Sequence, residues 1–383
     1  MKTHTTLLIL VSSLLITFSL FGCVEDTSIG EKPTGTYQSY NPGFGHDRGY
    51  DSEGEMNNAN NVNNANNVTQ APEDPQREIE EADILKIEGN TLFALSAYRG
   101  LVVLDLSTQD QIGVLGRHPI FGQPFEMYIR DGMAYVMFSS FWVYDWNDDL
   151  GYGTWNSTSR LVVLNVSDPA NISEVASYDL AGEVSDSRLV GDIIYMVASE
   201  NGYCWHCSDE PRTTVTSVNT SDLNDIHMVD QVSFDMGGYW WRMPIHVTQN
   251  RIYVAGMDWE TDVSNIQIVD ISDPSGVMEI GAGFSLAGRV ESRWQMSEYN
   301  GVFRTISQRG WNSQPPVVQT FAVAQSNVLL PLGNLTMTLP QPEDLRSVRF
   351  DGDRAYAVTF QQVDPLFVID LADPANPRQR GEL

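Results

Sequence analysis

The chain has 383 residues, with 22 Lys and Arg against 50 Asp and Glu, a formal charge of -28, 42% hydrophobic residues and 10% aromatics. That much apolar material can build a large core, so the chain as a whole is not disordered. The acidity argues against nucleic acid as a partner and against charge-driven docking on anionic lipid, and no apolar run reaches the ~18 residues of a membrane-spanning helix.

Met1 to Gly22 reads as an export signal, with Lys2 as its positive region and an apolar stretch from Leu7 to Phe21. Leu20-Phe21-Gly22-Cys23 resembles the lipobox of bacterial lipoproteins, although Phe21 is bulkier than the small residue usual there. That resemblance implies cleavage before Cys23, a lipid on its thiol, and a chain held in the cell envelope by its membrane anchor. Val24 follows, not Asp, which by analogy with Gram-negative lipoproteins permits sorting to the outer membrane. An ordinary secretory signal with a chance Cys is the other reading. Residues 23–80 read as an acidic, Asn-rich flexible tether. Asn57 to Asn67 holds eight Asn among eleven residues, and such a sequence buries too little apolar surface to offset the entropy of ordering.

From residue 81 to residue 383 a unit recurs. Its marker is a turn with Gly or Asn followed by an aromatic in an alternating apolar strand, as in Asp131-Gly132-Met133-Ala134-Tyr135. The aromatic falls at Phe93, Tyr135, Tyr195, Tyr253, Phe303 and Tyr356. Uneven spacing is expected when loops vary and strands do not. A second marker is an apolar strand ending in an acidic turn, as in Ile266-Gln267-Ile268-Val269-Asp270-Ile271-Ser272-Asp273-Pro274. Pro ends the strand because it donates no ladder hydrogen bond, and the Asp side chain can bond the turn backbone.

Each unit reads as four short strands; in the last they are predicted at 345–350, 354–360, 366–371 and 378–382. Helical periodicity is essentially absent. Six four-stranded units predict an all-β fold, a β-propeller of about six blades, ahead of a two-layer sandwich that would not need six similar units. No spare strand follows the sixth unit. The expectation is therefore either a tight closure between units one and six or an incomplete part of a larger propeller, and the second is preferred.

Ala82-Asp83-Ile84-Leu85-Lys86, Met296 to Arg304, and above all Asp353 to Leu371 resemble the secreted β-propeller-domain proteins of bacteria and archaea. The resemblance covers most of 80–383. It implies the fold and an extracytoplasmic location, and brings no catalytic residues to carry over. Family members typically continue past a point equivalent to the closing Gly381-Glu382-Leu383.

Cys204-Trp205-His206-Cys207 lies between predicted strands. A small disulfide in an oxidising compartment is the plain reading, and a metal or redox role is the alternative. Asp145, Asn147 and Asp149 alternate as oxygen ligands do in calcium loops, but Gly falls one position late and position twelve is Asn156, not Glu; a solvated acidic hairpin is the competing reading, and no other cofactor is expected. Trp146, Trp155, Trp240 and Trp241 sit at or near predicted loops, where they could stack on sugars or anchor a protein, or else pack between blades. No nucleophile elbow or phosphate loop is present, and no catalytic residue is assigned. The expected function is a lipid-anchored extracytoplasmic scaffold binding protein or glycan. A propeller hydrolase or other metal-dependent enzyme, and a structural part of an envelope assembly, are the rivals.

Overall fold

In a computed structural model, the described residues are 77–108, 111–147, 152–200, 212–236, 243–258, 260–310, 314–324, 327–360 and 365–382. Side chains at 140–147, 152–157, 181, 200 and 382 are outside the description. Six antiparallel sheets follow one another along the chain, at 85–118, 123–181, 183–234, 245–285, 296–336 and 344–382. In each, four consecutive strands pair as a simple meander, the arrangement of a propeller blade. The last blade runs Asp344–Asp351, Arg354–Phe360, Leu366–Asp370 and Arg378–Glu382, close to the strands read from sequence.

The two sequence markers have structural counterparts. In every blade a residue at the end of the third strand or just after it donates its N–H back to the turn of the first hairpin. Leu106 to the Asn90 carbonyl, Val166 to Gly132, Thr220 to Asp192, Ile271 to Asn250, Val323 to Gly301 and Leu371 to Asp353 repeat that bond. The acidic turn closes on itself: Asp270 accepts from the Ser272 N–H at 2.8 Å and Asp273 from the Ser275 N–H at 2.8 Å. These Asx turns end the strand by offering the backbone a local partner in place of the ladder.

Packing follows the pleat. In the third blade Ile194, Met196 and Ala198 join a buried cluster with the second blade, while Ile193, Tyr195 and Val197 join one with the fourth. A strand buried on both faces must be apolar without interruption, as Ile193 to Ala198 is. Five such clusters link successive blades, and among the described residues none draws on both the first and the sixth. Burial accordingly alternates in the outermost pair, in Thr91–Ser96 and in Arg354–Phe360.

Residues 77–80, tether by composition, belong to the fold. Ile79–Glu80 pairs with Val190 and Leu189 on the first strand of the third blade. Buried Arg77 donates to the carbonyls of Ile271 at 2.6 Å and Ser272 at 3.0 Å in the fourth blade. Asp83 then forms a bridge with Met127 in the second blade. The segment thus runs from the turn after the third strand of blade four to the first strands of blades three and two. Its sequence hides this, because one Ile and a few charges show no strand periodicity.

Candidate functional site

The marker aromatic has a partner directly across its hairpin, on the first strand. Lys86, Tyr128, Arg188, His246, Glu298 and Arg349 hold that position in blades one to six. All six are polar or titratable, and no two neighbours are alike. First strands of blades three to six line a common cavity of about 240 Å³, so this is the hub side of the blades. Arg188, His246 and Arg349 line it, together with Glu81, Arg293 and Trp294.

Local structure fixes these groups. Ser292 caps a short 3-10 turn, Arg293–Gln295, accepting from the Trp294 N–H at 3.2 Å. The Gln295 side chain accepts in return from the Ser292 N–H at 3.0 Å and from the Glu291 N–H at 2.8 Å, closing a capping box. The turn presents Arg293 and Trp294 to the hub. Over the Trp294 ring lie the Arg349 guanidinium, 3.5 Å from the centroid, and that of Arg293 at 4.5 Å, both in cation–π range. Glu81, on the crossing segment, holds Arg293 at 2.7 Å and stands 3.8 Å from Arg188. Arg188, with a side chain only 4% exposed, is paired with Asp186 at 2.5 Å. Burial works against its charge, but Asp186 and Glu81 outweigh burial and raise its pKa.

Two networks, one buried and one partly buried, flank the cavity. Toward blade two, the Ser187 hydroxyl donates to Glu126 at 2.8 Å and lies 3.0 Å from the Tyr128 hydroxyl. Burial, reinforced by Glu126, pushes the Tyr128 phenol well above its usual pKa. Toward blade five, the Glu298 carboxylate takes Arg251 at 3.0 Å and the Tyr253 hydroxyl at 2.6 Å. His246 Nε2 accepts the Glu298 N–H at 2.9 Å. Burial, aided by the charges of Arg188 and Arg304, pushes the His246 pKa down to about 4, so the ring is neutral at pH 7 and its Nε2 is an acceptor. Guanidinium groups on a partly apolar wall can bind and orient an anion.

Four of the residues singled out from sequence lie on described strands of blade two. Asp145, Trp146 and Asn147 lie on one long strand, Met133–Asn147, and Trp155 on its partner, Tyr152–Asn165. Asp145 pairs with Thr154, Trp146 with Gly153 and Tyr144 with Trp155; their side chains are outside the description. Asp149, Cys23, Cys204, Cys207, Trp240 and Trp241 lie outside the described residues. Among the described residues no group of three or more His, Cys, Asp and Glu is placed to hold a metal ion. A second cleft, of about 490 Å³, is lined by Asp351, Asp353, Arg354, Asp370 and Ala372 on the turns of blade six. There Asp370 accepts from the Ala372 N–H, which is the repeated turn bond.

No single residue type repeats at the hub position, so residue identity alone does not mark it in the sequence. The usable signal is a position: in five blades the hub residue stands seven places ahead of the marker aromatic, and in blade five, five places ahead.

Comparison with known proteins bears on the fold. The beta propeller domain family matches residues 75–215 and again 199–383. An uncharacterized protein of Methanocaldococcus jannaschii is 37% identical over 106 residues, covering 27% of this chain. One of Archaeoglobus fulgidus is 35% identical over 99 residues, covering 26%. The matched stretches span 17% and 15% of those two proteins. A solved structure of a protein from Lactobacillus plantarum superposes with a TM-score of 0.39 at 10% identity, covering 75% of this chain and 79% of its own.

Proposed function

The chain belongs to the beta propeller domain family, and we propose that it is a lipid-anchored, extracytoplasmic propeller acting as a binding scaffold for protein or glycan. The observation that carries this reading is the hub: six blades place unlike polar side chains at one equivalent position, and four of the blades open on a common cavity. Unlike donors and acceptors at fixed places suit recognition of a shaped ligand, whereas a ring built to hold a metal would repeat a ligand type.

Attachment rests on the lipobox-like Leu20-Phe21-Gly22-Cys23. Replacing Cys23 by Ser should move the protein from the detergent phase to the aqueous phase, since each buried CH₂ of an acyl chain is worth ~0.8 kcal/mol. Unchanged partitioning would remove the anchor from the proposal. In an oxidising envelope Cys204 and Cys207 should form a disulfide, and thiol counting on denatured, non-reduced protein should find neither free. The scaffold role is tested by pull-down from envelope extract with the purified chain. A specific protein or polysaccharide retained by the chain supports it; hydrolytic activity that follows one equivalent of bound metal would favour the enzyme instead.

A further inference from the structure

We infer that the hub cavity is a binding site for the carboxylate of a small organic acid. The proposal rests on the binding-scaffold reading and names a ligand chemistry for it.

Charge sets the class of ligand. The cavity wall carries three guanidinium groups, Arg188, Arg293 and Arg349, against the single carboxylate of Glu81. With Asp186 paired to Arg188, these groups leave one positive charge in excess, a local reversal in a chain of formal charge -28, and a low-dielectric recess focuses it toward an anion. Arg188 and Arg293 are already braced by Asp186 and Glu81, and Arg349 by the Trp294 ring. Their orientation is therefore prepared before the ligand arrives, which lowers the entropy lost on binding. The planar fork of Arg matches a carboxylate with two parallel hydrogen bonds.

The rest of the wall gives the ligand a carbon body. Ile79, Ile245, Val247, Met296 and Phe350 complete the lining, and an inorganic anion would leave that surface unfilled. The neutral His246 and the hydroxyl of Ser297 stand among them as polar contacts for a ligand hydroxyl. At ~30 Å³ per water, about 240 Å³ corresponds to several water molecules, enough for a sugar acid or smaller. The carboxylate could belong to a free acid or to a uronic acid unit of a glycan.

The test is calorimetric titration of the full chain, purified in detergent, with galacturonate, propionate and galactose. Saturable binding of galacturonate with none of galactose supports the proposal. Binding of propionate as well assigns the site to free acids, and binding of galacturonate alone assigns it to sugar acids. Arg349→Gln and, independently, Arg293→Gln should each weaken binding roughly tenfold or more while leaving the unfolding midpoint near that of the parent; the second variant keeps the test open if the first does not fold. Arg349→Lys, which keeps charge without the fork, should fall between. The proposal is overturned if neither acid binds, if galactose binds as well as galacturonate, or if both folded glutamine variants bind as the parent does. A pull-down that retains no macromolecule would sink the scaffold role and leave this titration unaffected.

Discussion

His246 is a hub side chain whose charge the fold decides. Its Nε2 accepts a backbone N–H from Glu298, and Arg188 and Arg304 stand close enough to oppose a second positive charge. The pKa is about 4 in the folded chain against 6.5 for the free side chain. The unfolded chain therefore takes up the proton first. The stabilisation is fully present above pH 6.5 and is lost as pH falls toward 4. A shift of this size amounts to roughly 3 kcal/mol. Urea unfolding at about pH 7.5 and about pH 4.5 should show the parent losing more stability on acidification than His246→Gln, which keeps an acceptor but cannot be protonated. Comparing the two chains cancels the carboxylates, which titrate in both. Equal losses in parent and variant would show that His246 is charged in the folded state, or that acid relaxes its surroundings.

At the scale of the element, the recurring device is the acidic turn docking on the blade before it. The outer strand pair of each blade carries a bulge, for example between Thr320 and Phe321 in blade five. There the Thr320 hydroxyl donates to the Pro374 carbonyl of the next blade at 2.5 Å, and in blade three the Ser217 hydroxyl donates to Gly276 at 2.7 Å. In blades five and one the turn can come this near only because the opposing strand has a glycine at the contact. A Cβ on Gly333 would lie 2.3 Å from the Pro374 oxygen, and one on Gly116 would lie 1.6 Å from the Pro169 oxygen. Both obstacles are backbone, which cannot swing aside. Gly333→Ala is expected to cost about 1–3 kcal/mol or more by overpacking. Gly381→Ala is the control, since nothing lies within 4 Å of its Cβ, and it should stay within about 0.5 kcal/mol of the parent. Equal urea midpoints for the two variants would refute the docking argument. This is also where the limit of sequence reading shows. Asp-Pro after an apolar strand announces the turn, since both residues act locally. That the turn docks on Gly333 is a contact between distant parts of the chain and has no local signature. The hub is hidden for a related reason. The aromatics at Phe93 and Tyr135 repeat because packing asks for the same kind of side chain in each blade, whereas Lys86, Tyr128, Arg188 and His246 differ and show no pattern until the register aligns them.

At the scale of the whole molecule, equivalent positions show how each blade depends on its neighbours. One place beyond the hub residue stand Ile87, Ile129, Leu189 and Val247 in blades one to four, each facing the preceding blade where there is one. Ile129, Leu189 and Val247 are buried at 4%, 1% and 9% exposure, while Ile87 is 61% exposed. The marker aromatic faces the other way: Tyr135, Tyr195 and Tyr253 are buried in clusters with the following blade, whereas Tyr356 in blade six is only half-buried. The same repeat is therefore a two-sided core element in the middle of the array and a one-sided one at its first and last blades. Leu189→Ala should cost about 2–5 kcal/mol, because it removes buried methyl groups and leaves a cavity between blades two and three. Ile87→Ala should change stability by no more than about 0.5 kcal/mol, because its side chain has little packing to lose. Urea unfolding of the two variants of the full chain, followed by far-ultraviolet circular dichroism, measures the difference. If Ile87→Ala costs as much as Leu189→Ala, the first blade's face is covered in solution. The cross-blade packing that buries Leu189 would then have a counterpart at Ile87, supplied by a blade or partner on that side.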